Sequence, residues 1–190
     1  MKFSFIIGTI NRTRELKYCI ESLLTQSYRE FEIIIADQSE NDLTEKLVKS
    51  FNEKCIIYNH VSFKGLSKAR NYGISIATGE YICLTDDDAC YDIDYLSMLK
   101  GYYEKEPNWI ISGHMWDAVN KREFIDYSRI REGEPLSVRD IIRKCPSPAI
   151  TFPKCIVQEI EGFDENFCVG AKYGAGEETD FLLRAFWIKY

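Results

Sequence analysis

The stretch GLSKARNYGISIATGEYICLTDDD, residues 65–88, changes character twice. Its first part predicts a helix over 67–77, closed by Gly79. Residues 81–85 then read as a strand: Ile82 and Leu84 are apolar, and Tyr81 and Thr85 favour a pleated surface. That strand runs into three adjacent carboxylates, Asp86, Asp87 and Asp88, with no basic neighbour to neutralise them. Upstream, the same alternation repeats. An apolar run over 2–8 stops at Gly8 and reads as a buried strand. Residues 13–28 carry Leu16, Cys19, Ile20, Leu23 and Leu24 at helical spacing, with Thr13 as the expected N-cap. Residues 31–36 predict a second strand, and 43–51 a short helix with Leu43, Leu47, Val48 and Phe51 inward. Residues 55–59 predict a third strand. Strands alternating with helices imply parallel strands and right-handed crossovers. Continuously apolar strands imply helices on both faces. The expectation up to about residue 90 is an α/β fold with a Rossmann-like, mostly parallel central sheet flanked by helices.

The second half is less regular. Helices are expected over 93–103, 136–144 with Ser137 as cap, 153–160 with Pro153 in its first turn, and 176–190. Residues 109–115 and 123–127 read as strands, and 145–152 as a loop followed by a strand. No internal repeat, low-complexity segment or linker interrupts the chain. It reads as a single domain, 1–190, with halves 1–90 and 91–190.

Composition excludes several classes. A hydrophobic content of 45% over 190 residues is enough for a proper core. The net charge of −6 and the lack of a Lys/Arg cluster argue against a nucleic-acid partner. No apolar run approaches ~20 residues, so no segment reads as membrane-spanning. The N-terminal residues read as a first strand and not as a signal peptide. Seven cysteines are scattered without a C-x-x-C pair, which argues against zinc. They read as mostly buried, reduced thiols of a cytoplasmic protein, with Cys19, Cys83 and Cys155 at apolar positions.

In an open parallel sheet, ligands bind at the carboxyl ends of the strands. The first strand ends in Gly8-Thr9-Ile10-Asn11-Arg12 and the second in Asp37-Gln38-Ser39. The third leads through Asn59-His60 to Lys68-Ala69-Arg70-Asn71, and the fourth ends in the aspartates. Polar groups therefore converge on one rim. Alternation along an extended strand end would put Asp86 and Asp88 on one side and Asp87 on the other. Two carboxylates on one side suit Mg²⁺ or Mn²⁺, which take oxygen ligands and complete their shell with water and substrate phosphates. An isolated D-x-D reads more simply as a solvated acidic turn. The end of a buried strand on a polar rim favours the cation.

FSFIIGTINRTRELKYCIESLLTQSYREFEIIIADQSEND, GLSKARNYGISIATGEYICLTDDDA and the later GFDENF and GAGEETDFLLR together resemble the family 2 inverting glycosyltransferases of GT-A fold. The resemblance covers nearly the whole chain, with four motifs in order. It implies that Thr9, Asn11 and Arg12 lie by a nucleotide and that Asp37 hydrogen-bonds the nucleobase, usually uracil. It implies that Arg70 lies near the nucleoside and diphosphate. The run Asp86-Asp87-Asp88 would hold the donor, with Asp86 and Asp88 as ribose and metal ligands of the D-x-D motif. The E-D motif that supplies the base falls on Glu177-Glu178, with Glu178 as base. Residues 1–90 would then be the nucleotide-binding half and 91–190 the acceptor side. The chain departs from the pattern at G-T-I-N where P-T-x-N is common, and at ADQS where DDGS is common, so this stretch with Gln38 carries one carboxylate where two are common. Glu178 stands where Asp is usual, one methylene longer.

The acidic residues Glu177, Glu178 and Asp180 also read as ordinary favourable charges at a helix start, worth ~0.3–1 kcal/mol each. Asp180 and Arg184 are four apart and can pair. The helix dipole would help keep Glu178 ionised to accept a proton. His114 reads as a hydrogen-bonded histidine or an acceptor contact, and Trp116 as a surface for an acceptor sugar. Trp109 and Trp187 read as core. The expected activity is metal-dependent inverting transfer of a hexosyl or hexosaminyl group, from a nucleotide-sugar such as a UDP-sugar to a glycan or lipid-linked acceptor. The alternatives are a sugar-phosphate nucleotidyltransferase and a nucleotide-sugar-binding pseudoenzyme. GTINRTRELK lacks the Gly-rich basic loop that the former wants. The location expected is cytoplasmic, with peripheral attachment at the inner membrane face. Ending soon after the expected base, the chain reads as a fragment or a compact family member.

Overall fold

The computed structural model describes residues 1–188. In chain order the elements are β1 (Phe3–Thr9), α1 (Thr13–Leu24), β2 (Phe31–Asp37), α2 (Leu43–Phe51), β3 (Ile56–His60), α3 (Leu66–Ile76) and β4 (Tyr81–Asp86). Then follow α4 (Tyr95–Tyr103), β5 (Ile111–Ser112), β6 (Trp116–Asp117), β7 (Arg122–Glu123), α5 (Val138–Lys144), a 3₁₀ turn (Ser147–Ala149), β8 (Ile150–Pro153), α6 (Ile156–Glu159) and α7 (Glu177–Trp187). Six strands form one sheet in the order β3-β2-β1-β4-β8-β5, and β6 and β7 form a separate hairpin. The first four strands are mutually parallel, whereas β8 runs antiparallel to both β4 and β5.

The strands are apolar on both faces because both faces are covered. Phe3, Phe5 and Ile7 of β1 point to one side and pack with Leu16, Ile20 and Leu23 of α1 and Leu96 and Leu99 of α4. Ile6 points to the other, where Ile74 of α3 and Phe181, Leu182 and Ala185 of α7 complete a second core. The period of two along the strands sorts one sequence between two layers. Helix α3 lies close on β1 because residue 73 has no side chain: a Cβ there would stand 2.6 Å from Ile6 Cγ2. That contact fixes the helix carrying Arg70.

Several expectations shift. Arg12, not Thr13, occupies the N-cap of α1, and no side chain caps it; the helix also ends at Leu24. Ser137 does cap α5, accepting from the Asp140 N–H at 3.3 Å. The strand expected over 109–115 shortens to β5, and that over 123–127 to β7. Pro153 closes β8 and opens no helix; a residue without an N–H is tolerated at a strand end. Trp109 and Trp187, expected in the core, are 39% and 74% exposed. Cys155 is exposed as well, while Cys19, Cys83, Cys145 and Cys168 are buried, and all seven are free. The last two residues of the helix expected over 176–190 lie outside the described residues. No helix among the described residues is long and apolar enough to cross a membrane.

At the amino ends of the strands, opposite the polar rim, Glu32 is buried. It accepts from Lys2 Nζ at 2.7 Å, Ser4 Oγ at 2.6 Å, and the Thr78 N–H and O–H at 2.6 and 2.7 Å. Burial raises its pKa, but these bonds outweigh it and bring the group down to about 2. A carboxyl with a depressed native pKa contributes stability above its unfolded value of about 4.3, and the contribution is lost as pH falls towards the native value. Urea midpoints of the wild type should therefore drop between about pH 4.5 and pH 2. Glu32→Gln should flatten that part of the profile, and an unchanged profile would show that Glu32 does not govern acid stability.

Candidate active site

The carboxyl ends of β1, β2 and β4 meet at one rim. Asn11 takes a left-handed conformation, φ +56°, which asparagine tolerates better than most residues. Its N–H donates to Ser39 Oγ at 2.8 Å, tying the exit of β1 to that of β2. Thr9 Oγ1 donates to Asp87 Oδ2 at 2.7 Å. Arg12 reaches across the rim: Nε lies 3.0 Å from Asp87 Oδ1, and Nη2 lies 2.6 Å from Asp88 Oδ2.

The alternation expected for the aspartates does not hold, because β4 ends at Asp86. The Ala89 N–H bonds back to the Asp86 carbonyl at 3.1 Å, and the chain turns. Asp87 and Asp88 thus both face Arg12. Asp86 faces Arg70 instead, whose Nη2 is 3.0 Å away. The charges that neutralise the triplet are therefore 76 and 16 residues distant in sequence. Burial raises the pKa of Asp86 against the opposing Arg70, and that of Asp87 against Thr9 and Arg12. Asp87, first among the influences on Arg12, raises the guanidinium pKa in turn.

Arg70 is expected against the nucleoside but is 0% exposed and lies beneath the rim. Its Nη1 reaches Glu177 Oε1 at 3.1 Å, and its Nη2 also donates to Ser147 Oγ. Asp37, expected to face a base, is likewise fully buried. Its Oδ1 accepts the Ser39 N–H and its Oδ2 the Tyr58 O–H, each at 2.9 Å. The side chains that line the open cleft are others. A cleft of about 520 Å³ runs from Arg12 and Asp87 past Thr9 and Gly8 to Gln38 and Lys64. Val169 and Gly170 close it from the loop ahead of α7.

Helix α7 starts after Gly176, whose φ of +97° suits glycine. Glu177 is consumed by Arg70. Asp180 pairs with Arg184 as expected, with Nε and Nη2 at 2.9 and 2.7 Å from Oδ2. Glu178 is half-buried, and burial raises its pKa; the adjacent Glu177 adds to this and Arg70 opposes it. A carboxylate held above the ordinary range is a stronger proton acceptor. His114 is exposed and stacks on the Tyr127 ring, centroids 4.1 Å apart, beside the 62% exposed Trp116 of the β6–β7 hairpin. Ser147, Lys64 and Val169 escaped the sequence reading. Ser147 sits in a stretch that reads only as loop, and none of the three belongs to a periodic pattern.

The family model for glycosyl transferase family 2 matches residues 4–167. This chain belongs to that family. Glycosyltransferase GlyA of Streptococcus pneumoniae serotype 4 is 31% identical over 100 residues, covering 52% of this chain and 14% of that protein. The uncharacterized glycosyltransferase YibD of Escherichia coli K12 is 36% identical over 133 residues, covering 62% of this chain and 38% of its own length. The chain thus spans well under half of these relatives. The crystal structure of S. aureus TarS 1-349 in complex with UDP-GlcNAc superposes with a TM-score of 0.79 at 21% identity, covering 98% of this chain and 53% of that one. The mannosyltransferase PcManGT from Pyrobaculum calidifontis, in complex with GDP-Man and Mn²⁺, superposes with a TM-score of 0.76 at 17% identity, covering 100% and 53%. The fold is GT-A.

The rim carboxylates offer oxygens of the type a divalent cation takes, but Asp86 is turned to Arg70 and Asp88 to Arg12, so a cation shared by the two would have to displace or share those arginines. Asp88 is 56% and Asp86 35% exposed at the side chain, and both offer hard oxygens. No group of three or more His, Cys, Asp or Glu among the described residues is placed to hold a metal by itself. Two carboxylates with the shell completed by phosphate and water is the pattern Mg²⁺ and Mn²⁺ accept.

The two arginines should differ sharply in energetic weight. Arg70→Met would leave Glu177 and Asp86 without their buried partner and should destabilise the fold by ~3–5 kcal/mol. Arg12→Ala removes two pairs of a half-exposed guanidinium, to Asp87 and to Asp88, and should cost less, ~0.2–1 kcal/mol for each pair. Urea unfolding of both variants gives the comparison; similar losses would refute the hub assigned to Arg70.

Proposed function

We propose that this chain transfers a hexosyl or hexosaminyl group, with inversion, from a nucleotide-sugar, a UDP-sugar by first choice, to a hydroxyl of a glycan or lipid-linked acceptor. The observation that carries the reading is the link Asp86–Arg70–Glu177, which ties the strand-end carboxylates to the first turn of α7. The donor side and Glu178 are thereby held in one frame. The family match and the GT-A fold support glycosyl transfer over nucleotidyl transfer. The nucleotide-sugars present in the two fold relatives support a nucleoside-diphosphate donor in the cleft.

In this reading Thr9, Asn11, Arg12, Asp86 and Asp87 form the donor wall, and Asp37 and Arg70 brace it from beneath. A cation held by Asp86 and Asp88 would supply electrostatic neutralisation of the leaving diphosphate. Glu178 accepts the proton of the acceptor hydroxyl. The acceptor oxygen forms its bond to the anomeric carbon from the face opposite the diphosphate. The carbon–oxygen bond to the diphosphate breaks, and its electron pair leaves with the nucleotide. One displacement inverts the configuration. Trp116 offers an aromatic face to an acceptor sugar, and a lipid-linked acceptor would be met by peripheral attachment at a membrane surface.

Glu178→Gln keeps size but takes no proton at neutral pH. Sugar transfer should fall by ~10²–10⁴ while UDP affinity stays within a few-fold, measured by product formation and calorimetry. Asp180→Asn should leave transfer near normal and cost only ~0.2–0.5 kcal/mol of stability. Near-normal turnover in the Gln variant would move the base elsewhere.

The cation is tested separately. Asp88→Ala should weaken UDP binding in Mn²⁺ much more than in EDTA. If the intact protein binds UDP equally in Mn²⁺ and in EDTA, no metal acts at this rim.

A further inference from the structure

We infer that Gln38 selects the nucleobase by its exocyclic oxygen. Its side-chain amide presents a hydrogen-bond donor to the cleft and accepts bases with a keto group where uracil has O4, rejecting those with an amino group there. This rests on the nucleotide-donor reading above.

The orientation of the Gln38 amide is fixed by the backbone. The Gly65 N–H lies 2.6 Å from its Oε1. An N–H cannot accept, so the oxygen must point at Gly65 and the NH₂ must point away. Gly65 stands at φ +121°, a conformation that a residue with a side chain rarely adopts, so this donor is built into the start of α3. Nε2 then lies towards Gly8, about 4.0 Å from where a Cβ on that residue would sit. It donates to no protein atom among the described residues, and Gln38 lines the cleft.

The surrounding groups have the same polarity. Lys64 Nζ, also at this end, donates to the Gln38 carbonyl. Of the carboxylates near this end, Asp37 is fully buried with each oxygen already accepting a hydrogen bond, and the exposed Glu40 lies 4.0 Å from Lys64 Nζ. The Ser39 carbonyl is held 2.9 Å from His60 Nε2. The residues that line this end of the cleft, Gln38 and Lys64, therefore offer side-chain donors and no carboxylate. The other end carries Arg12 and Asp87, next to the Asp86 and Asp88 rim where a diphosphate belongs. A nucleotide with its phosphates there brings its base to Gln38. A keto oxygen meets Nε2–H as an acceptor. An amino group would set donor against donor and leave a buried N–H unpaired, a loss of roughly tenfold or more in affinity.

Calorimetry of the full chain with Mn²⁺ and UDP, 4-thio-UDP, CDP, GDP and ADP tests this. UDP should bind at least about tenfold more tightly than CDP. 4-Thio-UDP keeps the imide N–H but carries a weaker acceptor at position 4, and should fall between them. GDP should bind more tightly than ADP. Gln38→Glu keeps an oxygen for Gly65 and turns the other towards the base, so CDP affinity should rise, which an unfolded variant could not show. Equal binding of UDP and 4-thio-UDP, with CDP weaker, would mean that the imide is read instead and overturns the role of Gln38. Equal binding of UDP and CDP overturns it too, while leaving the donor cleft intact. Failure of all five nucleotides to bind overturns both readings.

Discussion

A guanidinium with no exposure to solvent sits between the last residue of β4 and the first of α7. Desolvating Arg70 is costly, and only a well-placed set of anions and acceptors offsets that cost. Asp86, Glu177 and Ser147 provide it. Their positions come from three distant parts of the chain, so the pair network forms only when both halves have folded against each other. Helix α3 brings the arginine, and its close seat on Ile6 sets the height at which the side chain emerges. The irregular second half is anchored by the same group, through α7 and the turn at Ser147.

That arrangement explains how three consecutive carboxylates are tolerated at a strand end. Arg70 compensates Asp86 from below, and Arg12 compensates Asp87 and Asp88 from the rim. The two compensations differ in permanence. The lower one is buried and rigid. The upper one is half-exposed and weak, so a cation or a phosphate can exchange with it at small cost. A site that must bind and release a charged nucleotide needs the second kind of contact resting on the first.

The first turn of α7 shows how three similar acids acquire different chemistry from position alone. Glu177 points inward to Arg70, and Asp180 pairs one turn along with Arg184. Glu178 alone is left half-buried without a basic partner among the described contacts, and its burial raises its proton affinity. Charge at the helix start is generic; the separation of roles is a consequence of packing.

The four parallel strands, the helices between them and the polar rim were legible in residues 1–90, because both strand and helix periods are local and the apolar runs are long. The Asp180–Arg184 pair was legible for the same reason, since its members lie one helical turn apart. The strand direction of β8, the exposure of Trp109 and Trp187 and the brevity of β5 and β7 were not, since none is set by local spacing. Nor could the sequence tell that Arg70 and Asp37 brace the rim from beneath while Gln38 and Lys64 line its cleft. Adjacent residues at a strand end point in different directions, and the outcome depends on where the strand stops and which distant group desolvates each side chain. Local periodicity determined the sheet and its rim; long-range burial and charge pairing decided which of the rim residues face the cleft.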